Sequence, residues 1–200
     1  YTFVIVAGPV EPYFASGRSK LRLKAEARYT RAASGGTGAA KTSGNYAGTL
    51  KPMAEAITEG FDQILWLDGQ THQYAEEAGQ MNVFFRIGDE VITPELSGTI
   101  LAGVTRDSVI QLLSDWGYTV STRQMSIQEL KSASDAGILN EMFGAGTAAV
   151  IAPIQSITLH DEELSVNAPN GPELSKRLLD TILGIQHGTI ADTHGWTVKI

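Results

Sequence analysis

Short apolar runs occur along this chain at two kinds of spacing, and that pattern limits the fold more than any other feature. Gln73–Glu77 and Met81–Ile87 are parted by little more than a glycine, whereas Val91–Pro94 and Tyr118–Met125 are parted by a whole amphipathic stretch. Strands that are sometimes adjacent in sequence and sometimes separated by helices define a mixed α and β domain. The pattern predicts strands over Thr2–Ala7, Leu21–Arg31, Ile64–Asp68, Gln73–Glu77, Met81–Ile87, Val91–Pro94, Tyr118–Met125, Ile138–Phe143 and Ala148–Pro153. It predicts helices over Tyr46–Gly60, Thr105–Trp116, Ser126–Ala136 and Asn170 to about Ile185. Val109, Ile110, Leu113 and Trp116 recur at helical spacing, and Ser126 with Glu129 forms a capping box. Gly144–Thr147 reads as a turn.

Composition narrows the function classes. The 200 residues make one ordinary domain, able to bury roughly 70% of its unfolded surface without staples. The absence of Cys excludes a disulfide scaffold, a thiolate metal site and a thiol nucleophile. With 15 Lys and Arg against 22 Asp and Glu, the net charge is −7, a poor match to nucleic-acid phosphates. The longest strongly apolar stretch, Ala148–Ile154, is far short of the roughly 20 residues that span a bilayer, so no membrane partner is expected. The first residues, Tyr1–Ala7, carry no basic segment and no cleavage site, and read as a strand entered midway.

The candidate chemistry centres on one loop. His72, His160, His187 and His194 show no i, i+4 partner and no HExxH, so no metal is expected and they read as surface or satisfied side chains. No GxSxG occurs. Ser34–Asn45 is the most unusual segment, its glycines and small side chains able to bring backbone close to a ligand around Lys41. It nearly spells a nucleotide phosphate loop, with Ile64–Asp68 as the apolar strand and magnesium-holding Asp. Against that, Ala40 stands where such a loop needs Gly, Arg28–Arg31 is not apolar, and Pro52 falls in the following helix. The other chemistry for a Lys in a glycine-lined pocket is imine formation with an aldehyde cofactor. That requires a carboxylate for a pyridine nitrogen, a donor for a phenolate oxygen, and free backbone N–H groups for a phosphate. Glu76–Glu77, Tyr46, the Gly103–Thr105 turn before a helix and Gly144–Thr147 supply these. Taken singly, they also read as a solvated acidic pair, a core tyrosine, an ordinary Thr105 N-cap and a strand connection.

Taken together, six strings carry a family likeness: Gly38-Ala-Ala-Lys41-Thr-Ser-Gly-Asn-Tyr46, Gln63-Ile-Leu-Trp-Leu-Asp-Gly69, Glu77-Ala-Gly-Gln-Met-Asn82, Thr93-Pro-Glu-Leu-Ser-Gly98, Leu101-Ala-Gly-Val-Thr-Arg106 and Phe143-Gly-Ala-Gly-Thr-Ala148. In them, and in Asn170-Gly-Pro-Glu-Leu174, Ile185–Gly188 and Trp196, the chain resembles the fold-type IV pyridoxal-phosphate aminotransferases, specifically the branched-chain amino acid aminotransferases, over essentially its whole length. The resemblance implies an α/β (mixed α+β) large domain, a mixed sheet or pseudo-barrel flanked by helices, over residues 21–200. Residues 1–20 would be the last strand of a missing N-terminal small domain plus the interdomain linker. The implied activity is transamination of Leu, Ile and Val with 2-oxoglutarate, giving branched 2-oxo acids and glutamate, by a cytoplasmic homodimer using pyridoxal 5′-phosphate.

The resemblance also implies roles. Lys41 would carry the cofactor as a Schiff base and move the proton between substrate Cα and cofactor. Tyr46 would bond the phenolate oxygen, and Glu77 the ring nitrogen. The Val104 and Thr105 N–H groups with the Thr147 hydroxyl would hold the phosphate, with Arg31 as a further phosphate-side residue. The Thr147–Ala148 turn would offer N–H groups to the substrate carboxylate, and Tyr13 would line the side-chain pocket. Two alternatives accompany this reading: a cofactor-binding fragment without turnover, and a D-amino acid aminotransferase or aminodeoxychorismate lyase. The wording of the last third speaks against the latter pair. Ala149 and Ala152 stand where mammalian members carry Cys-x-x-Cys, so no thiol switch is expected.

Overall fold

The computed structural model describes residues 2–6, 8–9, 20–168 and 171–198. Among these the elements run β1 (Leu21–Glu26), α1 (Ser43–Ala47), α2 (Leu50–Thr58), β2 (Gln63–Leu67), β3 (Ala75–Ala78), β4 (Met81–Ile87), β5 (Glu90–Thr93), α3 (Val104–Asp115), β6 (Thr119–Thr122), α4 (Ile127–Asp135), β7 (Leu139–Gly146), β8 (Val150–Leu159), β9 (Glu162–Ser165) and α5 (Glu173–Gln186). All strands join one mixed sheet in the order β3-β2-β1-β8-β7-β4-β5-β6, with β9 on β8 and an added pairing of β3 with β4. That last pairing closes β3, β2, β1, β8, β7 and β4 into a ring, the pseudo-barrel expected from the resemblance. Strand β4 makes the closure possible. Along its length it pairs β7, while Met81 and Asn82 pair β3 and Phe85–Ile87 pair β5. Closure removes edge strands that would otherwise be open to aggregation.

Alternation along β4 sorts the core. Val83 and Phe85 enter a cluster with Leu23, Leu65, Leu67 and Met142, while Phe84 turns to the other face. There it packs with Val109 and Leu113 of α3 and Leu178 of α5. Phe84 and Phe143, directly paired across β4 and β7, stack with centroids 5.1 Å apart. A third, smaller cluster places Ala56 of α2 on Ile64 and Trp66. The face bearing Phe84 also carries Asn82, Glu77 and Trp66, because Asn82 pairs Glu77 and Glu77 pairs Trp66.

Several boundaries differ from the sequence expectation, each for a local reason. Residues 2–6 form no strand, and Phe3 to Val6 are exposed with no strand beside them among the described residues. β1 stops at Glu26 because that carboxylate accepts the Arg28 and Tyr29 N–H groups and turns the chain. The helix expected over Tyr46–Gly60 is two helices, broken where the Thr49 hydroxyl bonds back to the Tyr46 carbonyl. Pro52 then lies in the first turn of α2, where its missing N–H costs nothing. β7 runs on through Gly144 and Gly146, and the turn is Thr147–Ala149. A Cβ at Gly144 would fall 2.8 Å from Met81 Cε, so the Met81 side chain would have to shift to admit it. The Ser126 cap of α4 is present, its hydroxyl accepting the Glu129 N–H at 3.0 Å, but the Glu129 carboxylate turns to Arg123 instead of closing the box. β9, short and charged, has no counterpart in the predicted elements.

Helix α5 is anchored by a buried carboxylate. Glu141 on β7 accepts the Leu174 and Ser175 N–H groups at 2.8 and 3.0 Å and the Ser175 hydroxyl at 2.9 Å. An anion at a helix N-terminus is favourable, and removing it leaves buried donors unmet. Glu141→Ala is therefore expected to cost about 3 kcal/mol in unfolding free energy, read by urea titration. A loss below about 1 kcal/mol would contradict this account of α5.

Candidate active site

The Gly-rich segment leading to Lys41 is held by a buried asparagine. Asn45 of α1 donates to the Thr37 and Ala40 carbonyls at 2.8 and 2.7 Å and accepts from the Thr37 hydroxyl at 2.8 Å. The loop lies on a second one, residues 96–101, through the Ala39 N–H to the Gly98 carbonyl at 3.0 Å. Gly38 permits that approach, since a Cβ there would fall 2.5 Å from the Thr99 carbonyl oxygen. Lys41 leaves this stapled loop with its side chain exposed, just ahead of α1, which carries the half-buried Tyr46.

The 96–101 loop contacts Arg31, Glu76 and Glu77. Arg31, buried, donates from Nη2 to the Thr99 carbonyl, and its Nε is 3.2 Å from Glu77 Oε2. The Leu101 N–H donates to Glu77 Oε1 at 2.8 Å, and the Leu101 carbonyl accepts from the Asn82 amide at 2.9 Å. Glu76 accepts from the Thr99 hydroxyl. The solvated-pair reading of Glu76 and Glu77 is thereby overturned, because both are buried on β3. Burial raises the Glu77 pKa to about 7, against the pull of Arg31 and the Leu101 N–H; Glu76 raises it further and Lys41 lowers it. The Arg31 guanidinium lies on Glu77 and the Thr99 carbonyl.

Helix α3 begins where this loop ends. Its N-cap is Gly103, not Thr105, and no side chain caps it. A Cβ at Gly103 would overlap the Asn82 amide oxygen, which explains the glycine. The Val104 and Thr105 N–H groups lie in the first turn, where no intrahelical carbonyl takes them, and the macrodipole favours an anion there. A cavity of about 300 Å³ opens at this end, lined among others by Val104, Thr105, Asp107, Ile182 and Trp196. Thr147 and Ala148 are exposed in the turn after β7, two and three residues beyond Ala145, which pairs Asn82. Val150 closes that turn at φ 54, a strained conformation for a β-branched residue. Tyr13 lies outside the described residues.

The phosphate-loop reading fails on geometry. β1 ends well before the Gly-rich segment, and α1 is only 5 residues long. Asp68 is saturated, accepting N–H groups from Gln70, Thr71, Gln73 and Tyr74 and the Thr71 hydroxyl, which hold its pKa at about 2. Among the described residues no group of three or more His, Cys, Asp or Glu is placed to hold a metal. Asn45, Asn82 and Thr99 carry no functional signal of their own in the sequence. The first two stand inside the family strings; Thr99 falls between two of them, where only the fold reveals its contacts.

Comparison with known proteins gives the family. Residues 1–157 match the amino-transferase class IV family. The chain is 48% identical over 200 residues to branched-chain-amino-acid aminotransferase 2 of Bacillus subtilis (strain 168), covering 100% of itself and 55% of that protein. It is 42% identical over 204 residues to the branched-chain-amino-acid aminotransferase of Mycolicibacterium smegmatis, again covering 55% of it. The crystal structure of the branched-chain aminotransferase from Thermoproteus uzoniensis with norvaline superposes with a TM-score of 0.75 at 27% identity, over 92% of this chain and 56% of that one. The chain belongs to the class IV aminotransferases. It spans about half the length of the curated relatives it matches.

Proposed function

We propose that this chain is the cofactor-binding part of a pyridoxal 5′-phosphate-dependent aminotransferase acting on leucine, isoleucine and valine with 2-oxoglutarate. The observation that carries the reading is the buried Glu77, held by Arg31 and the Leu101 N–H. The residues present fit the cofactor. A carboxyl poised near neutrality suits a pyridine nitrogen, an uncapped helix start suits a phosphate, and Gly38 lets the Lys41 loop close on residues 96–101.

When bound, the cofactor ring supplies a sink for the charge that develops at the substrate Cα. Lys41 provides the amine that attaches the cofactor and afterwards moves the Cα proton. Glu77 keeps the ring nitrogen protonated, Tyr46 donates to the phenolate oxygen, and the Val104 and Thr105 N–H groups with the Thr147 hydroxyl hold the phosphate. Arg31, on present contacts, acts by orienting Glu77. The Thr147–Ala148 N–H groups receive the substrate carboxylate, and Tyr13 lines the side-chain pocket. Substrate choice is supported by the names of relatives at 42% and 48% identity. A homodimer and a cytoplasmic setting belong to the same reading by resemblance alone; among the described residues no helix is long and apolar enough to cross a membrane.

The test is turnover of leucine with 2-oxoglutarate, following glutamate release with pyridoxal phosphate present. Branched-chain substrates are expected to exceed alanine by at least about tenfold, since each added methylene in an apolar pocket is worth about 1–3 kcal/mol. Equal rates with D-alanine would favour a different member of the class.

A further inference from the structure

Glu76 and Glu77 are successive on β3, so their side chains leave the strand on opposite faces. Both are buried, at 6% and 4% exposure. One buried cation serves them. Arg31 Nε lies 3.2 Å from Glu77 Oε2, and Arg31 Nη2 donates to the carbonyl of Thr99, whose hydroxyl donates to Glu76 Oε1. Glu77 therefore has the guanidinium and a backbone N–H. Glu76 has one hydroxyl, and its Oε2 is buried without a partner. Beyond Glu76 lies a cavity of about 220 Å³ shared with Ser34, Asp68, Thr71, Tyr74 and Gln124, in which Asp68 stays ionised. Two buried carboxylates and one guanidinium cannot all be charged without leaving net charge in the interior, which is costly. Groups coupled in this way release their protons as a pair, each affecting the other.

We propose that Glu76 is a positioning residue for the cofactor ring: by sharing Arg31 with Glu77 it sets the pH range in which Glu77 is ionised and holds a protonated ring nitrogen. The proposal rests on the cofactor reading above. The charged groups facing the pair all enter the balance. Arg31 favours ionisation of both carboxyls and Lys41 that of Glu77, Asp68 opposes ionisation of Glu76, and Glu76 opposes that of Glu77. Glu95 borders a smaller adjoining cavity on the Glu76 side. Neutralising Glu76 removes a repulsive neighbour and leaves Arg31 to Glu77 alone. A positive ring nitrogen against Glu77 supplies the missing counter-charge, so cofactor loading near neutral pH releases the proton the pair had held.

The test is a pH titration of the chain labelled with 13C at its glutamate side-chain carboxyls, without cofactor. The Glu77 resonance is identified by its loss in Glu77→Gln. In Glu76→Gln the Glu77 midpoint is expected about one pH unit lower, a tenfold change in its ionisation constant. If Glu76→Gln does not fold, Thr99→Val serves. It takes the hydroxyl from ionised Glu76, pushes Glu76 to its neutral form, and lowers the Glu77 midpoint in the same direction. The pH range for pyridoxal phosphate binding, followed by visible absorption, is expected to move with it. An unmoved Glu77 midpoint in the folded variant overturns the coupling. A moved midpoint with an unmoved binding range overturns the role toward the ring. No cofactor binding by the unaltered chain at any pH strikes instead at the reading on which the proposal rests.

Discussion

Lys41→Ala is expected to abolish transamination while leaving the fold intact. In the proposed function one side chain both attaches the cofactor and moves the Cα proton, so its loss would remove covalent and acid–base contributions together, more than about 10⁴-fold in turnover. The side chain is exposed, and the loop around it is stapled by Asn45, not by the lysine. Its removal is therefore expected to change stability by less than about 0.5 kcal/mol. Measuring kcat beside a thermal unfolding curve separates the two effects. Turnover within tenfold of the unaltered chain would remove Lys41 from the chemistry.

Glu77→Gln is expected to lower turnover by about 10²–10³-fold if Glu77 has the proposed role, because a neutral amide cannot keep a ring nitrogen protonated as charge develops. It is also expected to change how stability depends on pH. The folded pKa of Glu77, about 7, is raised above the ordinary value of 4.5. Between those values the native state binds more protons than the unfolded chain, so stability falls as pH rises through that window. The fall should amount to about 3 kcal/mol and should be missing from Glu77→Gln. At pH 4.5, where Glu77 is neutral in the fold, the variant should be close to the unaltered chain in stability, and the gap should open only as pH rises. Unfolding free energies measured from pH 4.5 to 8 test both points. A pH dependence equally steep in the variant would assign the titration to another group.

Much of the fold was legible because local pattern and tertiary burial agree. β4 matches its predicted bounds because its alternating Val83, Phe84 and Phe85 serve two cores at once. β9 was not legible, since a charged Glu162–Ser165 gains its place only by pairing β8. Gly144 was read as a turn because glycine permits turns; only the nearness of Met81 shows that it is a strand residue in a tight place. The candidate site could be named from the sequence in residue types and order, through Lys41, Tyr46, Glu77, Val104 and Thr147, and their roles remain those of the proposed function. Its electrostatics were not legible. Two adjacent glutamates in a short strand read as solvated until ring closure buries both faces, and the 96–101 loop then brings Arg31, Thr99 and Leu101 to them.

The most direct test of the central claim is to load the chain with pyridoxal phosphate, reduce it with borohydride, digest it and map the modified peptide by mass spectrometry. The phosphopyridoxyl group is expected on Lys41 alone, and on no peptide of the Lys41→Ala variant. Its appearance instead on another lysine, such as Lys24 or Lys51, with Lys41 unmodified, would contradict the account.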